Sequence, residues 1–257
     1  MIFRPRIVAF MCHWSLPPEI DVSTPSLIRG YPKIRIVKTM CAGRIDPAIV
    51  METFLKGADG VLVVGCHTPD CHYIDGNTQA ERKVKMLKRL IRLTGFDAER
   101  LRLEWANASE IENLARIINH FRNQVASLGA SPLTSGESNS DVVINMKAAR
   151  AVAENFTLRL LVGREKEMTV NANVYGDKVS QEEFDRLLED TLEAEFIRHK
   201  IHQLTTEKPM SVKEIAAATR MEPSQTLCHI VNMRRKNMIT LDCVKGTTPL
   251  YKALEVH

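Results

Sequence analysis

No apolar run in these 257 residues approaches the ~20 needed to cross a bilayer, so insertion in a membrane is not expected. The opening MIFRPRIVAFMC places basic residues ahead of an apolar stretch. That stretch is only about six residues long and lacks a small-residue cleavage site, so it reads as a first strand of a cytoplasmic protein rather than a signal peptide. Neither sign of charge dominates. Lys and Arg number 35 against 31 Asp and Glu, and the slight excess sits in the first 130 residues (18 against 13), the remainder being near neutral (17 against 18). Such a weak excess argues against nucleic acid as a partner. Internal repeats are missing, and so is any acid–base pair or nucleophile constellation. The expectation is therefore a non-catalytic protein. Aromatics are scarce at 5%, but 44% hydrophobic residues suffice for real cores, and the length is comfortable for two domains.

What is present is cysteine, unevenly placed. Cys12, Cys41, Cys66 and Cys71 fall within 60 residues, whereas Cys228 and Cys243 lie far along the chain. In a cytosolic setting a cluster of this kind points to metal or redox chemistry rather than disulfides. The flanking pattern says where these residues stand. Ile7–Met11, Ile34–Met40, Val61–Val64 and Leu101–Trp105 read as strands. Helical patterns lie between them: Pro47 to Lys56 stopped by Gly57, about Thr78 to Thr94 before Gly95, and LARIINHFRNQVASL behind a Ser109/Glu112 capping box. Alternation of this kind gives an α/β fold, a four-stranded parallel sheet of flavodoxin-like or doubly wound type. Ligands of such sheets bind beyond the carboxyl ends of the strands. Three successive strands deliver Cys12, Cys41 and Cys66 there, and Cys71 follows on the loop GCHTPDCHY. Four thiolates suit tetrahedral zinc or an iron–sulfur cluster equally well, and ligand count does not separate them.

The blocks AFMCHW, IRIVKTMCAGRIDP, GADGVLVVGCHTPDCHYIDGN and LRLEWANASE resemble, in order and spacing, the delta subunit of methyl-viologen-reducing hydrogenase, over roughly residues 6–128. The resemblance implies a 2Fe–2S cluster held by Cys12, Cys41, Cys66 and Cys71. It also implies an electron-transfer subunit in a hetero-oligomeric complex. Electrons would pass between a redox module such as a hydrogenase or formate dehydrogenase and a heterodisulfide-reductase-like, electron-bifurcating flavoprotein. One position departs from the family pattern: its Cys-Asn-Trp-Cys is here Cys12-His13-Trp14-Ser15. A serine oxygen at Ser15 could ligate iron, and as a harder donor it would lower the potential. Around the cysteines, Arg44 could offset negative charge or pair with Asp46, and His67 and His72 could hydrogen-bond locally or tune the sulfurs.

Beyond this first domain, 1–129, the Gly/Ser/Pro-rich 130–141 reads as a linker. Residues 142–194 read as an α+β connecting region with a strand at LRLLVG (158–163) and a long helix starting at a Ser180/Glu183 capping box. The last segment, 195–257, has a helix, a second helix capped by Ser211 and Glu214, a third opened by Pro223, and strands ITLDCVK and PLYKAL, the winged-helix order. Cys228 and Cys243 read as core. A redox-responsive winged-helix regulator and a zinc-stabilised structural adaptor are the alternatives to the electron relay.

Overall fold

The computed structural model describes residues 3–17, 33–134, 141–172 and 175–254. Four strands, β1 (Ile7–Cys12), β2 (Ile34–Thr39), β3 (Gly60–Gly65) and β4 (Leu101–Trp105), form one all-parallel sheet in the order β2-β1-β3-β4. Between them lie α1 (Pro47–Leu55) and α2 (Gly76–Leu93), and α3 (Ile111–Ser127) follows. Side chains alternate along the strands and separate two cores. Ile7, Ala9, Met11, Leu62 and Val64 meet Leu114, Ile118, Phe121 and Val125 of α3 on one face. Phe10, Val61, Val63 and Leu101 meet α1 and α2 on the other. α1 begins where Asp46 accepts from Ala48 N at 2.8 Å and Pro47 opens the first turn, and it ends before Gly57 at φ 95°, a left-handed conformation suited to glycine.

The second face is completed by the chain beyond residue 140. The helices α4 (Asp141–Glu154), α5 (Phe156–Gly163) and the first half of α7 (Gln181–Glu207) add Met146, Val152, Leu158, Phe184, Leu188 and Leu192 to the α1/α2 core. Ion pairs reinforce the join: Arg150–Glu52 at 2.7 Å, Arg89–Asp185 at 3.1 Å, and Arg82 with Glu165 of the short α6 (Glu165–Thr169) at 3.4 Å. Much of the linker, 135–140, lies outside the described residues. The segment 158–163, expected as a strand, is part of the helix α5. Asn155 caps it by accepting from Leu158 N at 3.3 Å, and Leu158 and Val162, one turn apart, are its buried face. The Ser109/Glu112 capping box is not formed either. Glu110 stands at the N-cap of α3, where its carboxylate accepts from Asn107 N (3.4 Å) and Asn113 Nδ2 (2.9 Å).

The boxes at Ser180/Glu183 and Ser211/Glu214 are both complete. α7 runs unbroken through 194–195 into a third core, made by Ile201, Met210, Ile215, Ile230, Met233, Ile239 and Tyr251. This unit holds β5 (Met210–Ser211), α8 (Val212–Thr219), α9 (Pro223–Arg235) and the hairpin β6 (Ile239–Lys245) and β7 (Thr248–Ala253), in a sheet ordered β5-β7-β6. Cys228 and Cys243, expected in the core, are exposed. The buried stripe of α9 is Thr226, Ile230 and Met233, which leaves Cys228 on the far side of the helix. Cys243 lies beside a register shift in the hairpin.

On α7, His199 is largely buried, and that burial holds its imidazole at about 4, well below its ordinary 6.5, with Glu195 only partly opposing. The unfolded chain takes up this proton near 6.5 and the folded one only near 4. The stability tied to neutral His199 is thus complete above 6.5 and lost as pH falls through that window. Between pH 7 and pH 5 the loss from this group is about 2 kcal/mol. Urea unfolding of the His199→Gln variant should show a correspondingly shallower fall over that range than the parent chain.

Candidate functional site

β1 and β3 are neighbours, but the chain leaves them in opposite directions, to β2 on one side and β4 on the other. The crevice beyond their carboxyl ends is the topological switch point, where open parallel sheets bind ligands. Cys12 ends β1, and Cys66 directly follows Gly65, the last residue of β3. Both are buried, and their Sγ atoms lie 3.6 Å apart. That is far beyond a disulfide bond. Two sulfurs bound tetrahedrally to one metal at ~2.3 Å stand about 3.8 Å apart, so the pair is close to the edge such an ion requires. Ser15 sits on the short turn after β1, fully buried, with Oγ donating to Cys66 Sγ at 3.8 Å.

Cys41 follows β2 by two residues and is also buried. Gly43 N donates to its Sγ at 3.4 Å, closing the turn. The sulfur rests against Gly76, the first residue of α2. A Cβ built on Gly76 would overlap Cys41 Sγ and lie 3.5 Å from Cys71 Sγ, so the two sulfurs share one small space. Gly43 and Gly76 themselves pack backbone to backbone, since a Cβ on Gly43 would come 2.5 Å from Gly76 O. Only glycine permits such an approach. The Cys66–Cys71 loop is fixed from α2 by the buried Asn77, which donates to Cys66 O at 3.4 Å and Thr68 Oγ1 at 2.8 Å.

Cys12 and Cys66 thus form a close inner pair, and Cys41 and Cys71, both lying against Gly76, are the outer pair of the same rim. Burial pushes the Cys66 thiol up, and the neighbouring Cys12 adds to the effect, opposed by Ser15 and by a backbone hydrogen bond from His72. Burial also raises Cys41, as do the nearby Cys71 and Cys66. Repulsion among these sulfurs is the electrostatic counterpart of their closeness, and a bound cation would remove it. Among the described residues no three His, Cys, Asp or Glu side chains stand at the spacing of one metal ion. An all-sulfur donor set, with amides donating to sulfur and glycines admitting close approach, suits a sulfur-ligated metal group.

The residues around the pairs take defined positions. His67 Nε2 is engaged by Glu110 at 3.2 Å; hydrogen bonds from Asn113 first and then His67 hold that carboxyl below the usual carboxylate range. His72 stacks on Trp14 at 3.6 Å, with Tyr73 edge-on at 5.1 Å. Arg44 is exposed, and the Arg44–Asp46 pair does not form, because Asp46 binds Arg159 at 2.7 Å. Two residues had no signal in the sequence. Gly76 belongs to an ordinary Asp-Gly step, and Lys83 lies in a basic helix, yet its Nζ donates to Gly43 O at 2.6 Å and Ile45 O at 3.4 Å. Beside the outer pair opens a cleft of about 480 Å³, lined in part by Met40, Cys41, Tyr73 and Gly76. Arg44, Asp75 and Gln79 also line it, and two large apolar side chains stand exposed at or next to it in the chain, Ile74 at 90% and Met40 at 60%. Ile74 also has φ 67°, a left-handed backbone that a β-branched residue adopts only at a cost.

Residues 7–129 match the family described as methyl-viologen-reducing hydrogenase, delta subunit. The iron-sulfur subunit of the F420-non-reducing hydrogenase vhc of Methanococcus voltae is 37% identical over 131 residues, 51% of this chain and 91% of that protein. An F420-non-reducing hydrogenase iron-sulfur subunit from Archaeoglobus profundus is 36% identical over 127 residues, 49% and 93% of the two chains. A subunit of the Ferredoxin/F(420)H(2)-dependent CoB-CoM heterodisulfide reductase of Methanosarcina acetivorans is 42% identical over 125 residues. That match takes 49% of this chain but only 16% of the length of that relative.

Proposed function

Since the chain belongs to the methyl-viologen-reducing hydrogenase delta-subunit family, we propose that it is an electron-transfer subunit whose first domain holds a 2Fe–2S cluster on Cys12, Cys41, Cys66 and Cys71. The observation that supports this reading best is the close Cys12–Cys66 pair at the switch point, with Cys41 and Cys71 together beside Gly76. A two-iron cluster needs two terminal sulfurs on each iron, and a single zinc ion needs four around one point. The pairing favours the former. Ser15 then hydrogen-bonds to Cys66 rather than ligating, and lends positive character to that sulfur. The cluster would supply one-electron redox chemistry. The protein would hold the sulfurs and donate to them from Gly43 N and His72 N.

The partners in this reading are a heterodisulfide-reductase-like flavoprotein and a second redox protein such as a hydrogenase, assembled in the cytoplasm. Support comes from the names of the relatives, which include components of a hydrogenase and of a heterodisulfide reductase. No helix among the described residues is long and apolar enough to cross a membrane. The C-terminal unit is read as a winged helix that docks within the assembly. The apolar rim of Met40 and Ile74 beside the cleft is where the partner's cofactor-bearing surface comes closest. Ile74→Asp should therefore weaken the complex by about tenfold or more, as expected for loss of an apolar anchor. Its iron content and absorption spectrum should match the parent. Binding measured against the purified flavoprotein checks this, and unchanged affinity would remove Ile74 from the interface.

A further inference from the structure

Between the cysteine site and the helices beyond the family-matched segment stands a short series of charges. Lys83 of α2 donates to the carbonyls of Gly43 and Ile45 at 2.6 and 3.4 Å, and Gly43 donates its own amide to Cys41 Sγ at 3.4 Å. Asp46, the next residue after Ile45, caps α1 through Ala48 N at 2.8 Å and receives Arg159 Nη2 at 2.7 Å. Arg159 belongs to α5, outside the matched residues 7–129, and is held in place by Nε donating to Ala153 O at 2.9 Å. These groups line a cleft of about 250 Å³, with Lys83, Arg44 and Arg159 as its cations and Asp46 as its carboxylate. The arrangement has a cost: Lys83 loses much of its hydration, and its carbonyl partners belong to the very turn that orients Cys41.

We infer that Lys83 is a positioning residue for Cys41 and a fixed positive charge beside the cysteine centre, and that Arg159 of the added helical region sustains this effect by neutralising Asp46. The inference rests on the proposed cluster. Reduction adds one negative charge to a group bound by four thiolates, and a nearby cation stabilises that state more than the oxidised one. Without Arg159, the Asp46 carboxylate faces Lys83 uncompensated, and the net positive charge at the turn falls by one. The additional helices would thus set the electron affinity of the site they pack beside.

The test is an anaerobic spectroelectrochemical titration of the full chain and four variants, with iron content measured for each. Lys83→Met should reduce electron affinity about tenfold, a midpoint about 59 mV more negative for a one-electron couple. Arg159→Leu should shift it in the same direction by about threefold. Lys83→Arg, which keeps the charge, should stay within about twofold of the parent. Arg164→Leu removes an exposed cation paired to Glu167 on its own side of the chain and should leave the potential unchanged. If Lys83→Met loses iron, Arg159→Leu decides, because it leaves the Lys83 contacts intact. A normal parent centre whose potential is the same in Lys83→Met and Arg159→Leu overturns this inference alone. A parent chain that takes up no iron defeats the proposed function and this inference with it.

Discussion

Cys66→Ala is expected to yield a colourless protein with almost no iron, folded to the same extent as the parent. Cys66 is the member of the inner pair that both Cys12 and Ser15 touch, at 3.6 and 3.8 Å. In the proposed cluster its removal would leave one iron with a single terminal sulfur from the chain. Changing a residue that merely supports a ligand costs a metal site about 10–100-fold in affinity, and loss of a ligand itself costs more. The fold should survive, because the substitution deletes one small buried atom at the end of β3 and leaves the strand's register with β1 and β4 untouched. Such a truncation costs about 1–2 kcal/mol. Cys228→Ala supplies the control. Its side chain is exposed on α9 and should alter neither colour nor iron content. Equal bleaching in both variants would mean that iron loss reflects general damage.

Gly76→Ala has an effect of similar size through a different cause. The added methyl would overlap Cys41 Sγ and reach within 3.5 Å of Cys71 Sγ. The helix start cannot retreat, because Gly43 already stands against Gly76 O. Cys41 must therefore leave its position under Gly43 N, and the outer pair separates. Overpacking of this kind costs about 1–3 kcal/mol of stability, but the loss of iron retention should be about tenfold or more, out of proportion to the stability change. Gly163→Ala, where nothing lies within 4 Å of the new methyl, should leave the centre intact. It should also slightly stabilise α5, by about 0.5–1 kcal/mol. Iron content after anaerobic desalting distinguishes the two glycines. Equal retention in Gly76→Ala and the parent would show that the outer pair is not a ligand pair.

The four strands and their cysteines were legible because short apolar runs mark β1 and β3, alternation marks β2 and β4, and parallel topology puts their carboxyl ends on one rim. Two capping boxes, Ser180/Glu183 and Ser211/Glu214, were equally plain as local chemistry, whereas the same pattern at Ser109/Glu112 gave way where Glu110 takes the N-cap and binds His67, Asn107 and Asn113. The α5 segment was not legible by periodicity, because a short aliphatic run such as LRLLVG fits a strand or a buried helix face. The deciding residue is Asn155, just outside the run, whose side chain caps the helix. The exposed position of Cys228 could have been found on the helical wheel from Ile230 and Met233. Gly76 and Lys83 could not, for their roles exist only once α2 is laid against the turn after Cys41. The proposed ligands stand at or near strand ends, but the groups that shape their surroundings come from tertiary packing.

The most direct measurement is metal and acid-labile sulfide content, with an absorption spectrum, on the full chain purified without oxygen. The expected product is brown, with about two iron and two sulfide per chain. A colourless protein with one zinc and no sulfide would contradict the proposed cluster.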